Sequence, residues 1–166
     1  AEKLWLCWIT LRAMLNAGAM RDLYDDPAKR PLLKPETIWE IECGQGLTAA
    51  EVYEASTTRS RWYASVARLF QHYDALAMPA TQVWPFPVEW RWPEVINGIA
   101  MDTYHRWMEV VVPVSLIGLP SLNVPVGFGP QGLPMGMQLI GPTGADAAVL
   151  AAGHARPGGG PVMVGG

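Results

Sequence analysis

Asp102, His105 and Ser115 are the residue types of a hydrolytic relay, in which an acid orients an imidazole that activates a hydroxyl. Their spacing does not support that chemistry. Asp102 and His105 stand three apart on an expected helix, so they share a face. Ser115 lies ten residues beyond His105, too far along one helix for contact at about 1.5 Å rise per residue. The spacing favours plain hydrogen bonding, with Asp102 pairing with His105 or capping the helix. His72, His105 and His154 fall on separate elements with no metal-ligand spacing, and Cys7 and Cys43 form no metal motif and no disulfide framework. The glycines around Gly127 do not make a nucleotide-binding fingerprint. No cofactor and no metal is expected. What remains is a set of aromatic side chains. Trp84, Phe86, Trp90 and Trp92 crowd a stretch that also holds Pro85, Pro87 and Pro93. Four large rings on such a loop must line a pocket or cover a neighbouring element.

The elements that must position these residues follow from periodicity and punctuation. Glu2 to Ala19 reads as a helix with a wide apolar stripe through Leu4, Trp5, Trp8, Ile9, Leu11 and Leu15, stopped near Gly18. Arg21 to Gly46 reads as a connector, because Pro27, Pro31 and Pro35 exclude a continuous helix, with a short helical turn over Glu36 to Glu42. Thr48-Ala49-Ala50-Glu51 is a capping box that opens a helix running to about Tyr73. Asp74 to Pro79 reads as a short buried strand, and Ala80 to Pro93 as the aromatic loop. Asn97 to Leu116 is expected to be helical, broken near Pro113 and ended by Gly118. Ser121 to Phe128 and Met135 to Ile140 are apolar, β-branched runs, expected as an antiparallel pair in the middle of a larger sheet. Gly127 and Gly129 are expected to supply the positive φ of the turn between them. Pro125 is expected to end its strand at an edge. Gly136 suits a close backbone approach. Asp146 to Ala155 reads as a final helix. Residues 156–166 are Gly-rich without periodicity and are read as a disordered tail.

Composition bounds the function. Of 166 residues, 50% are hydrophobic and only 16% charged, well under the usual quarter. The apolar excess is spread along the chain, so this surface is expected to be covered by something else. The net charge of −3 comes with no basic run, which argues against nucleic-acid binding. Leu4 to Met20 is too short, and too polar at Arg12 and Asn16, to span a bilayer. Two isolated thiols fit a reducing, cytoplasmic setting.

The segment from Gly118-Leu119-Pro120 through Asn123-Val124-Pro125, then Gly132-Leu133-Pro134-Met135-Gly136-Met137-Gln138-Leu139-Ile140-Gly141, then Asp146, resembles the C-terminal pattern of amidase-signature hydrolases. Tyr73-Asp74-Ala75-Leu76 with Pro79 is similar to the strand before it. Met101 to Glu109 resembles a motif of one amidase branch, and Trp39-Glu40-Ile41-Glu42 also fits. The similarity runs over roughly Glu2 to Ala155.

That resemblance implies an α/β chain, an incomplete piece of an α/β/α sandwich around a mixed sheet, with residues 1–155 as the C-terminal part of an amidase domain. It implies hydrolysis of a carbon–nitrogen amide bond by a serine, a second serine and a lysine, carried with the oxyanion hole on a Gly/Ser-rich segment. No such segment occurs in this sequence. Ser56, Ser60, Ser65, Ser115 and Ser121 are placed on helices or a strand, and Lys3, Lys29 and Lys34 lie in the N-terminal part. No catalytic residue carries over, and the chain is expected to be inactive alone. The resemblance places the aromatic loop at the substrate pocket, with Trp84, Phe86 and Trp107 shaping it; the plain alternative is that these rings pack the core. The expected partner is a small amide substrate, bound only when the missing part is supplied. Uncovered sheet edges are expected to favour self-association. Two other readings stand beside the fragment: a non-catalytic binding module on the same scaffold, and one half of a split enzyme completed by another chain.

Overall fold

The computed structural model describes residues 1–154. Ala155, expected to close the final helix, and the tail expected over 156–166 lie outside the described residues. The chain divides into two compact units, Ala1–Ala64 and Ser65–Gly166.

The first unit is helical. Helix α1 (Glu2–Ala19) has the expected span and is followed by the short α2 (Arg21–Tyr24). A 3-10 turn at Arg30–Leu32 leads to α3 (Pro35–Gln45). The single turn expected over Glu36 to Glu42 is thus a helix of 11 residues. Pro35 opens this helix instead of excluding it, since a first-turn N–H has no intrahelical partner to lose. α3 packs on α1, and Gly44 sets how closely. A Cβ at Gly44 would run into the Ala13 carbonyl and sit 2.7 Å from Ala17 Cβ. Ile41 is fully buried in the seam, and so is the carboxylate of Glu40. Glu40 is held by Arg12 Nε on one oxygen and by Asn16 Nδ2 at 2.6 Å on the other. A buried charge is tolerated only when its oxygens are matched in this way. Cys7, also buried, donates its thiol to the Ala55 carbonyl at 3.1 Å.

Helix α4 (Ala49–Leu69) begins on the expected capping box. Glu51 N–H donates to Thr48 Oγ1 at 3.2 Å, and Thr48 N–H donates to Glu51 Oε2 at 2.7 Å. The α-helix stops short of Tyr73, because its exit tightens: His72 N–H bonds to the Leu69 carbonyl three residues back.

The second unit is built on a three-stranded sheet of order β1-β5-β4, in which β1 is Leu76–Pro79, β4 is Ser121–Phe128 and β5 is Pro134–Ile140. Both described pairings are antiparallel, with Leu76 and Ser121 each opposite Ile140. It follows that β1 and β4 run parallel to each other on either side of β5. The antiparallel pair expected from the sequence is present, with β4 at an edge of the described sheet. Pro125 does not end β4; the strand continues through a bulge between Pro125 and Gly127 to Phe128, as an edge strand permits.

The long helix expected from Asn97 to Leu116 is absent. Val95–Ile96 (β2) and Ile99–Ala100 (β3) form a small antiparallel ribbon instead. Its turn is Asn97-Gly98, both at positive φ (51° and 80°), the preferred pair for a two-residue hairpin. A 3-10 helix follows over Arg106–Val111, then α5 (Val112–Ile117). The break expected near Pro113 falls between Val111 and Val112, where the 3-10 helix gives way to α5, and Pro113 sits in the first turn of α5. Gly118 ends α5 in the left-handed conformation (φ 61°), as expected of a helix-terminating glycine. The core gathers Val112, Val114, Leu116 and Ile117 of α5, Val124, Ile140, and Val149 of α6 (Asp146–His154). α6 lies on β4, where Gly153 leaves room for Leu122 and Val124.

Candidate functional site

Because β1 and β4 are parallel, the chain leaves both at the same end of the sheet. The aromatic loop departs from the end of β1, and the turn 129–133 departs from the end of β4. The start of the loop is tied to the sheet. Ala80 N–H donates to the Gly136 carbonyl at 3.1 Å, and Gln138 Nε2 donates to the Pro79 carbonyl at 3.0 Å. Gly136 permits this approach, since a Cβ there would stand 2.5 Å from Asn123 Oδ1 and 3.2 Å from Ala80 Cβ. Thr81 Oγ1 then accepts from Val83 N–H at 3.3 Å, a local turn that sends the chain outward.

Trp84 lies against the turn 129–133. A Cβ at Gly129 would sit 2.7 Å from Trp84 Cζ3, so this glycine serves contact with the ring. The positive φ that was expected at Gly129 is found at Gly132 (72°), with Gly127 (149°) at the bulge. The turn is closed by Gly129 N–H to the Leu133 carbonyl at 2.8 Å and Gly132 N–H to the Gly129 carbonyl at 2.9 Å. Between loop and turn opens a cavity of about 250 Å³ lined by Trp84, Pro85, Gly129, Pro130, Gln131 and Leu133. Its walls are mostly apolar, with Gln131 as the polar side chain, and carry no charged side chain.

Phe86 and Trp107, the other two expected pocket residues, meet each other instead. Phe86 stacks on Trp90 at 6.3 Å and receives Trp107 edge-on at 5.4 Å. Trp92 and Tyr104 form a second edge-on pair at 5.5 Å. The structure therefore joins two of the three residues in one aromatic wall and sets Trp84 on the cavity. The indole Nε1 of Trp107 and the hydroxyl of Thr103 are buried with no hydrogen-bond partner among the described residues. A residue not singled out from the sequence joins the loop to the 3-10 helix that carries Trp107. Gln82 donates from Nε2 to the Arg106 carbonyl at 3.1 Å and accepts from Val110 N–H at Oε1 at 3.0 Å. The only signal in the sequence was a neutral polar side chain in a loop otherwise rich in proline and tryptophan.

The residues weighed as a hydrolytic relay are put to other uses. Asp102 does not pair with His105. Its carboxylate takes both arms of Arg106, at 3.1 and 3.0 Å, and Arg106 also pairs with Glu109 at 3.3 Å. Those hydrogen bonds from Arg106 hold the Asp102 carboxyl below its usual pKa. His105 is buried against the Tyr104 ring at 5.0 Å, edge-on. Ser115 is exposed on α5. Among the described residues no group of three or more His, Cys, Asp and Glu side chains is placed to hold a metal ion, and no helix is long and apolar enough to cross a membrane.

A family model described as Amidase matches residues 7–150. An indoleacetamide hydrolase of Allorhizobium ampelinum is 43% identical over 82 residues, which is 49% of this chain and 18% of the relative. A fatty acid amide hydrolase of Medicago truncatula is 33% identical over 120 residues, 71% of this chain and 19% of the relative. A glutamyl-tRNA(Gln) amidotransferase subunit of Symbiobacterium thermophilum is 32% identical over 142 residues, 81% of this chain and 27% of the relative. The chain thus spans a minor part of each of these relatives. Among solved structures, a bacterial aryl acylamidase of the amidase signature family superimposes with a TM-score of 0.79 at 23% identity, over 93% of this chain and 33% of that one. That likeness concerns the fold, and it makes the sheet and helices described above an incomplete α/β piece of the larger enzyme's architecture. With the family model matched from residue 7 to residue 150, this chain belongs to the amidase family.

Proposed function

We propose that residues 1–155 are the C-terminal part of an amide-hydrolysing domain, shaping the substrate pocket for a nucleophile, base and oxyanion hole carried on a segment outside these residues, and that the chain alone is inactive. One observation carries this reading: the chain belongs to the amidase family yet spans 18–27% of the curated relatives described above, and no Gly/Ser-rich run occurs in its sequence. Trp84, Phe86 and Trp107 are the substrate-facing residues. Their support is position, since ligands of open α/β sheets bind at the carboxyl ends of the strands, where the loop after β1 and the turn after β4 lie. The substrate is a small carboxamide with an apolar body. The cavity of about 250 Å³ is uncharged, which suits a neutral amide better than an acid or an amine. No cofactor is needed, and the setting is cytoplasmic.

A split enzyme is the second reading, favoured by relatives that are named as one component of a multi-chain amidotransferase. A binding module that reuses the scaffold without catalysis is the third. The coding sequence upstream separates the three. A Gly/Ser-rich segment with two serines and a lysine in the same frame supports the fragment, and the same segment in a neighbouring gene supports the split enzyme. If neither carries one, the binding module stands and our first reading fails. Phe128 on edge strand β4 is 75% exposed, so the isolated chain is expected to self-associate. Sedimentation as a concentration-independent monomer contradicts that.

A further inference from the structure

One neutral side chain joins the sheet to the aromatic wall. The start of the loop is fixed from the sheet side, through Gln138 on the Pro79 carbonyl and the Gly136 carbonyl on the Ala80 N–H, and Thr81 on the Val83 N–H adds a local turn. Gln82 faces the other way and takes both ends of the 3-10 helix Arg106–Val111, donating to the Arg106 carbonyl at 3.1 Å and accepting from Val110 N–H at 3.0 Å. A backbone carbonyl only accepts and a backbone N–H only donates, so both halves of the amide are used in one orientation. The 3-10 helix has six residues, longer than the three or four that this weakly bonded geometry usually sustains. The ion pairs of Arg106 with Asp102 and Glu109 lie within the same stretch of chain and move with it. Trp107, one residue past the Arg106 carbonyl, presents its edge to Phe86.

We propose that Gln82 is the positioning residue of the aromatic wall: its side-chain amide sets where Trp107 stands against Phe86, and thereby how the wall receives the amide substrate. The role rests on the reading that Phe86 and Trp107 face that substrate.

The test uses the whole chain, labelled with ¹⁵N, with the indole N–H of Trp107 and the backbone N–H of Val110 as reporters. In Gln82→Ala the Val110 N–H exchanges at least about tenfold faster, as loss of a hydrogen bond and local opening require, and the Trp107 resonance shifts. The indole signals of Trp5, Trp8 and Trp39 stay in place. Gln82→Glu gives a readout that general weakening does not move. A protonated carboxyl donates to Arg106 and accepts from Val110 as the amide does, whereas a carboxylate cannot donate. The Gln82→Glu spectrum is therefore native-like near pH 4 and departs from it as pH rises toward about 8, through the carboxyl's titration. Gln82→Ala shows no such dependence. If Val110 exchanges at the wild-type rate in Gln82→Ala, or Gln82→Glu matches wild type at every pH, the clamp is overturned. If both effects appear while the Trp107 resonance of Gln82→Ala stays at its wild-type position, the clamp does not set the wall and this role falls. The amide hydrolase reading is tested separately, by turnover.

Discussion

The α1–α3 seam in the first unit and the cavity beside the aromatic loop in the second use polar groups in opposite ways. In the seam a charged side chain is buried and saturated: Glu40 is enclosed, with Arg12 and Asn16 on its oxygens, and Gly44 brings the backbones together. Beside the loop no charge lines the open space, and the segments are held by neutral amides, Gln82 and Gln138, and by ring edges. Charge is tolerable where geometry is permanent and no ligand enters. An uncharged surface fixed from behind suits the neutral carboxamide proposed as its ligand. The contrast also separates residues that maintain the fold from those proposed to meet a substrate.

The seam gives the largest expected effect. Arg12→Met strands a buried carboxylate and is expected to cost about 3 kcal/mol, at the low end for breaking a buried pair. Glu40→Gln leaves an Arg12 side chain that is 43% exposed and can reach water, and is expected to cost only about 1 kcal/mol. Urea unfolding of the two variants checks the order; equal losses would show that the seam is not the saturated charge site described. Gly129→Leu comes next. Its side chain enters the space of the Trp84 ring, and displacing an exposed ring is expected to cost about 1 kcal/mol. The same change should remove the cavity, which acrylamide quenching of Trp84 in a chain with the other tryptophans replaced by phenylalanine would report. The smallest effect is electrostatic. Asp102 has a folded pKa depressed by Arg106, so its contribution is present above the unfolded value and is lost as pH falls through the folded one. The Asp102 carboxylate is 57% exposed, so the pair is screened on that side. Asp102→Asn should therefore lower stability slightly in the neutral region, leave it unchanged in strong acid, and so flatten the acid limb of a stability profile.

Much of this was legible in the sequence where the signal was local. The Thr48–Glu51 capping box, the span of α1, and the paired strands around Gly132 follow from rules acting within a few residues. The errors came where one local rule was set above another. Pro35 excludes a helix by one rule and opens α3 by another, because a first turn welcomes proline. Asn97-Gly98 was absorbed into an expected helix although the pair favours a hairpin turn. The site was legible as a list of rings but not as an arrangement. Phe86 meets Trp107, and Gln82 bonds to residues 24 and 28 positions further along; contacts of that range have no local signature.

The most direct test of the central claim is ammonia release by this chain alone from a panel of aliphatic and aryl primary amides. The account predicts no turnover above buffer, because the nucleophile, base and oxyanion donors lie outside these residues. Turnover that disappears on Ser115→Ala or His105→Ala would contradict it, and would mean that a catalytic centre is built from an exposed hydroxyl and a buried imidazole here assigned to the fold.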